Sequence, residues 1–246
     1  MNILKRKLNK IKRKLNKKIY NFSIRKALKP HYQTINLKAE GYHSQHGQDK
    51  FIYENFYKDK KDGFFVDIGA NDGVHFSNTL TLENKFDWNG VAIEPLPETF
   101  EKLRLNRTCK TVNACVGTMN KEVEFLAIEG ESEMLSGIID NYDKQHIKRI
   151  EKAKRKGAKA TTIKVPAYTL DHVMEDAPNQ KIDYINIDTE GGEFEILQSI
   201  DFKKYKIDTI SVENNYHDRR FANFMKAAGY QLVALIGDEI YRRQKA

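Results

Sequence analysis

Two cysteines in 246 residues, Cys109 and Cys115, are too few for a disulfide-built scaffold or a cysteine-only zinc cage. Both fall on or beside one predicted strand, so they read as reduced thiols of a cytoplasmic protein. No run approaches the roughly 18 consecutive apolar residues that a membrane span needs. The N-terminus has neither the apolar core nor the small-residue cleavage site of a secretory signal. Acidic residues are missing altogether from residues 1–30, which carry 12 of the 42 basic side chains. The other 216 residues hold 30 basic and 34 acidic groups, so the net charge of +8 belongs to a tail and the body is mildly acidic. Such a balance argues against a nucleic-acid-binding body, which needs a basic face to neutralise phosphates. The length that remains supports one substantial core, and residues 31–246 are read as a single domain.

The tail contains a near-duplication, LKRKLNK (4–10) followed by IKRKLNK (11–17). Leu4, Leu8, Ile11, Leu15, Ile19 and Phe22 recur at helical spacing, with lysine and arginine around the rest of the circumference. A basic amphipathic helix of this kind fits the headgroup region of an anionic membrane, apolar stripe inward. Docking on the acidic body, or plain solvation, is the competing reading. A coiled coil is disfavoured because the seam is short and the flanks offer no acidic partner.

From Gly63 onward, short apolar strands alternate with helical stretches. The strands are FFVDI (64–68), GVAIE (90–94), TVNACV (111–116), IDYINID (182–188), IDTISVE (207–213), YQLVALI (230–236) and EIYRR (239–243). Helices are expected over 45–58, 74–85, 96–106, 192–200 and 218–228. This alternation marks an α/β fold, a doubly wound, largely parallel sheet with helices on both faces. The section 120–180 breaks the rhythm: KEVEFLAI and TTIKVPAY look like extra strands around a charged helix at about 140–156. It is a candidate lid or substrate-selecting element. Four parallel strands end on or beside a carboxylate, Asp67, Glu94, Asp188 and Glu213, and in open α/β sheets ligands bind beyond these strand ends.

Asp67-Ile-Gly69-Ala-Asn71-Asp72-Gly73 follows the first strand. Its glycines permit a tight turn and close approach of a ligand to the backbone. The dinucleotide pattern G-x-G-x-x-G fails at Asn71. Asp67 would repel a pyrophosphate yet suit an ammonium group, and Glu94, at the end of the second strand, is placed to accept hydrogen bonds from two ribose hydroxyls. An ammonium at one end and a ribose at the other describe S-adenosylmethionine better than NAD.

FFVDIGANDGVHFSNTLTLE, GVAIEPLPETFEKLRLNR and IDYINIDTEGGEFEILQSI together resemble the FkbM family of S-adenosylmethionine-dependent methyltransferases, and SQHGQDKF (44–51) resembles a segment that precedes the core in one branch of that family. The resemblance covers about residues 43–236, leaving out the tail and the section 129–160. It implies a class I methyltransferase fold: a Rossmann-like, mostly parallel seven-stranded sheet with an antiparallel edge strand and strand order 3-2-1-4-5-7-6. It also implies O-methylation, often of sugars. Carried over, Asp67, Gly69, Asn71 and Gly73 line the methionine part of the cofactor, Glu94 holds the ribose, Asn113 lies beside the adenine, and Ser44 and Gln48 close over the cofactor. For Ser44 and Gln48 a helix-start role stays open.

A sugar hydroxyl benefits from proton removal, and Asp188-Thr-Glu190-Gly-Gly-Glu193 offers the groups. Asp188 is expected nearest the transfer point as base or orienter. Glu190 divides between a chemical role and stabilising the following helix, and Glu193 reads as the latter. His217 titrates in the range of a general base. Asp188, Glu213 and Asn214 supply the hard oxygens that Mg²⁺ or Ca²⁺ prefers. His43, His46 and His75 are candidate substrate contacts, and Trp88 reads as core. The expected reaction is O-methylation of a sugar in a nucleotide-linked or lipid-linked surface-glycan precursor, with another small metabolite, RNA or a silent interaction module as alternatives.

Overall fold

The computed structural model describes residues 18–19 and 40–244, apart from positions 143 and 178. The duplicated segment at 4–17, and nearly all of the basic helix expected over residues 1–30, therefore lie outside the described residues.

Among the described residues, eleven strands form two sheets. The larger runs β10 (Tyr230–Ile236), β11 (Asp238–Arg243), β9 (Ile207–Val212), β8 (Ile182–Ile187), β1 (Phe64–Ile68), β2 (Asn89–Ile93), β3 (Lys110–Val112). Numbered by chain order within this sheet and read from the other edge, that is 3-2-1-4-5-7-6, the class I methyltransferase order. β11 is antiparallel to both β10 and β9, one place in from the edge. Every residue of β8 is buried, as a central parallel strand covered on both faces demands.

Alternation along the strands builds a core on each face. Val66, Ile68, Val91, Ile93, Ile185 and Ile187 pack with the helices α6 (Glu193–Ser199) and α7 (Arg219–Ala227) on one side. Phe65, Ala92 and Tyr184 pack on the other, with α1 (Gln48–Ile52), α2 (Leu80–Phe86) and α3 (Pro97–Asn106). Trp88 belongs to this second core, its indole N–H donating to the Lys60 carbonyl. Both cysteines are free and buried, and burial pushes each thiol up to about 12.

Three local expectations change. The strand expected over 111–116 is broken: β3 stays in the large sheet while β4 (Cys115–Val116) joins a second sheet. The break falls at Asn113, whose amide N–H donates to the carbonyls of Glu94 (2.8 Å) and Pro95 (3.1 Å) instead of continuing a ladder. The helix expected from residue 74 starts only at Leu80. Asp72 Oδ1 accepts from the N–H groups of Val74 and His75, both at 2.9 Å, and Ser77 Oγ from those of Thr79 and Leu80, holding 72–79 as a loop. The helix expected over 45–58 is α1 continued by one π turn, Tyr53–Tyr57.

The second sheet runs β4, β7 (Ala160–Tyr168), β5 (Lys121–Ile128), β6 (Gly137–Ile138). With α4 (Lys144–Arg155) it makes up most of the 120–180 section; α5 (Leu170–Val173) closes it. Ile150 and Ala153 of α4 pack on Ile128 and Leu135, which fixes the helix over the strand ends of the large sheet.

Candidate active site

The tips of β1 and β8 approach each other so closely that a side chain at position 69 is excluded: a Cβ on Gly69 would lie 1.9 Å from the Asp188 carbonyl oxygen. Gly69 has φ of 85°, and the N–H groups of Gly69 and Ala70 both donate to the Ile93 carbonyl at 3.0 Å, tying the loop to β2. Asn71, also left-handed, aims its N–H at Glu94 Oε2 (3.0 Å), and the Leu96 N–H reaches Oε1 (3.0 Å). Glu94 is thus clamped between two loops. Its burial pushes the carboxyl up to about 7, even against these two hydrogen bonds.

Asp67 is held more completely. Thr79 Oγ1 donates to one carboxylate oxygen (2.6 Å) and Asn186 Nδ2 to the other (2.9 Å). Arg107, itself buried, lies 3.9 Å from Asp67 and 2.6 Å from Glu83. Asp67 and Asn186 line a cavity of about 250 Å³. Asp67, Gly69 and Glu94 form one side, and Ile93, Leu96, Cys115, Val116 and Phe125 supply apolar walls. The second sheet therefore completes the pocket opened by the first.

A second cavity, about 530 Å³, adjoins it. Asp188, Glu190, Asn78, Phe76 and Met134 line both. Beyond that junction the second cavity is bounded by His46, Gln48, Glu213 and Asp238 and by Arg149 of α4. Asn78 donates to Asn186 Oδ1 (2.9 Å), and its own buried Oδ1 has no partner among the described residues. Asp188 is raised well above the ordinary carboxylate range by desolvation and by the neighbouring charges of Asp238, Glu190, Glu193 and Asp67. Burial and the charge of Asp188 push Glu213 up to about 11. Asp238, accepting from Gln48 Nε2 (2.9 Å), rises to about 6 through burial. Burial raises Glu190 as well, opposed by Arg149 at 3.1 Å.

Several sequence-based placements change. Gly73 shapes the turn instead of lining the cavity: its N–H closes on the Ala70 carbonyl (3.0 Å) and a Cβ would strike Leu103 and Arg107 at 2.7 Å. Asn113 ties the Glu94 loop and is not among the cavity walls. Ser44 is buried against Asp49 (2.5 Å), away from both cavities, and orders the approach to α1. Gln48 lines the second cavity, not the first. His217 lies in a left-handed turn, its N–H on the Asn214 carbonyl, and lines neither cavity.

The metal set does not converge either. Asn214 Oδ1 accepts from the Asp218 N–H (2.8 Å) and its Nδ2 donates to Glu239 (2.7 Å), which points the amide toward α7 and β11. Among the described residues no three His, Cys, Asp or Glu side chains are grouped to hold an ion. Glu193 accepts from the Gly191 N–H (2.6 Å) and Thr189 Oγ1 (3.1 Å), closing the turn before α6. His46 lines the second cavity and His75 the first, whereas His43 bonds Thr81 at 3.0 Å away from both.

Sequence reasoning missed Arg107, Asn78, Asn186 and Asp238. Asn186 carried a signal, a polar residue between two isoleucines near the end of a central strand. Among the described residues no helix is long and apolar enough to cross a membrane.

A family model described as the methyltransferase FkbM domain matches residues 67–232, two thirds of the sequence. The chain belongs to the FkbM family of methyltransferases. Among solved structures, the FkbM methyltransferase from Methylobacillus flagellatus KT superposes with a TM-score of 0.44 at 14% identity, over 79% of this chain and 50% of that one. The precorrin-6y C5,15-methyltransferase from Geobacter metallireducens GS-15 gives 0.39 at 13% identity, over 81% of this chain and 83% of that one. This chain thus spans about half the length of the Methylobacillus protein. No curated protein matches it.

The family's methyl donor is S-adenosylmethionine, and the residues present fit it. Gly69 lines the cavity with bare backbone, Glu94 is a clamped carboxylate suited to a ribose, and Asn78 Oδ1 is a buried acceptor still to be satisfied.

Proposed function

We propose that this methyltransferase acts on a hydroxyl group, that of a sugar in a nucleotide-linked or lipid-linked precursor of a surface glycan. The observation that carries the reading is the junction of the two cavities at Asp188, a carboxylate whose proton affinity is raised by its surroundings. When bound, S-adenosylmethionine supplies an electrophilic methyl group. Glu94, Gly69 and Asn78 bind and orient the donor side. Asp188 holds the acceptor hydroxyl and takes its proton. A base with raised proton affinity suits a poorly acidic alcohol, and positioned proton transfer is worth about 10²–10⁴-fold. Glu190 adds a second acceptor whose position Arg149 sets. The apolar walls exclude water, so alignment contributes up to about 7–11 kcal/mol.

Calorimetric titration with S-adenosylhomocysteine tests the donor site, and methyl transfer to a panel of nucleotide sugars tests the acceptor. Micromolar binding followed by an O-methylated sugar supports the reading. Absence of binding by folded protein refutes the donor site, and a product methylated at nitrogen or carbon refutes the hydroxyl chemistry.

A further inference from the structure

The second cavity is lined by Arg149 and Lys152 of α4 and by Lys156 in the turn that follows it, and from the strand ends by Asp188, Glu190, Glu213 and Asp238. Arg149 and Lys152, three residues apart, share one side of the helix, and Lys156 follows just past its end. Arg149 is engaged by Glu190 at 3.1 Å, whereas Lys152 and Lys156 have no ion-pair partner among the described residues. Ile150 and Ala153 anchor the helix in its own apolar cluster, which fixes the backbone carrying these exposed lysines beside the cavity. Two ammonium groups without ion-pair partners thus rim a cavity whose floor is made of carboxyl groups. They suit a ligand with opposite ends, hydroxyls for the floor and negative charge for the rim.

We propose that Lys152 and Lys156 form an anion subsite of the acceptor cavity and that the acceptor carries a phosphate or diphosphate ester there, with its sugar directed at Asp188. This deepens the function proposed above and rests on it. Ammonium groups make charge-assisted hydrogen bonds to phosphate oxygens. Glu213, pushed up to about 11, is uncharged near neutrality and does not repel such a ligand. Nucleotide-linked and lipid-linked sugars share this chemistry, and separate arms of one experiment tell them apart.

The protein is loaded with S-adenosylhomocysteine and titrated with inorganic pyrophosphate, with a uridine diphosphate sugar, and with a polyprenyl phosphate in detergent micelles. The wild type is compared with the double variant Lys152→Ala/Lys156→Ala and with Lys154→Ala/Lys203→Ala, an equal loss of exposed charge outside the cavity. Pyrophosphate should bind the wild type, about tenfold or more weakly to the first variant, and unchanged to the second. Preference for the nucleotide sugar or for the polyprenyl phosphate then identifies the carrier. Equal binding by all three proteins, or none by the wild type, overturns the subsite. S-adenosylhomocysteine affinity is measured separately in each protein; if it is intact while pyrophosphate fails, the anion subsite falls and the methyltransferase reading stands.

Discussion

Glu94 links cofactor affinity to pH in a direction that the structure fixes. Burial raises its carboxyl from 4.5 to about 7, while the Asn71 and Leu96 N–H groups pull the other way. The fold therefore favours the protonated form. Its contribution to stability is fully present below about pH 4.5 and is lost as pH rises to about 7, a range worth about 3 kcal/mol. A ribose that donates two hydroxyl hydrogens to the carboxylate favours the ionised form instead. Binding must then expel the proton below pH 7, at about 1.4 kcal/mol per unit, or tenfold in affinity. Calorimetry with S-adenosylhomocysteine from pH 5.5 to 8.5 should show affinity rising about tenfold per unit up to pH 7 and level above it. Glu94→Gln keeps the shape, removes the titration and sets an amide N–H against one of the two backbone donors. Its affinity should be about 10–100-fold weaker than wild type at pH 8, from lost charge-assisted bonds of about 1.5–3 kcal/mol, and independent of pH. A flat wild-type profile refutes the argument, and the same slope in the variant assigns it to another group.

Arg107→Ala leaves Asp67 and Glu83 buried without their cation and should cost about 3–5 kcal/mol in urea unfolding, a loss under 1 kcal/mol showing that the network is not structural. Gly69→Ala places a methyl 1.9 Å from a backbone oxygen at a φ of 85°, so melting should fall by the equivalent of at least about 1–3 kcal/mol and cofactor affinity should drop; a neutral result would mean the β1–β8 tips are looser than described. Asp188→Asn should keep S-adenosylhomocysteine affinity within about twofold while turnover falls about 10²–10⁴-fold, and full turnover would move the proton transfer to another group, Glu190 first.

The sheet was legible because its cue is repetitive. Seven apolar runs separated by helical stretches leave few ways to wind a sheet. What escaped was decided by side chains that compete with the backbone. Nothing in TVNACV announces that Asn113 would cap the Glu94–Pro95 carbonyls and send Cys115 into a different sheet. Likewise the helical pattern over 74–85 is overruled at its start by Asp72 and Ser77, which bond the N–H groups that a helix would use. The charged helix at 140–156 was visible as an element. Its bearing on the acceptor was not, because only packing of Ile150 and Ala153 fixes the backbone carrying Lys152 and Lys156 beside the cavity.

Four strand-end carboxylates could be picked out from sequence, yet their chemistry could not, since Asp67, Glu94, Asp188 and Glu213 are distinguished by what surrounds them. Asp67 is bonded at both oxygens by Thr79 and Asn186, with Arg107 behind it, and this suits a fixed wall of the donor pocket. Glu94 is held by two backbone N–H groups in an apolar setting, an arrangement that tolerates both charge states and so can be tipped by a ligand. No side-chain hydrogen bond reaches the carboxylates of Asp188 or Glu213 among the described residues, and burial with mutual repulsion raises both. Two such groups beside one another cannot ionise independently. Of the pair, Asp188 lines both cavities while Glu213 lines only the second. The reaction proposed above requires the proton to rest on Glu213, so that Asp188 meets donor and acceptor as a carboxylate. Two Asp and two Glu at one kind of position thus sit in four different settings, and the division is made by neighbours that lie far apart in the sequence.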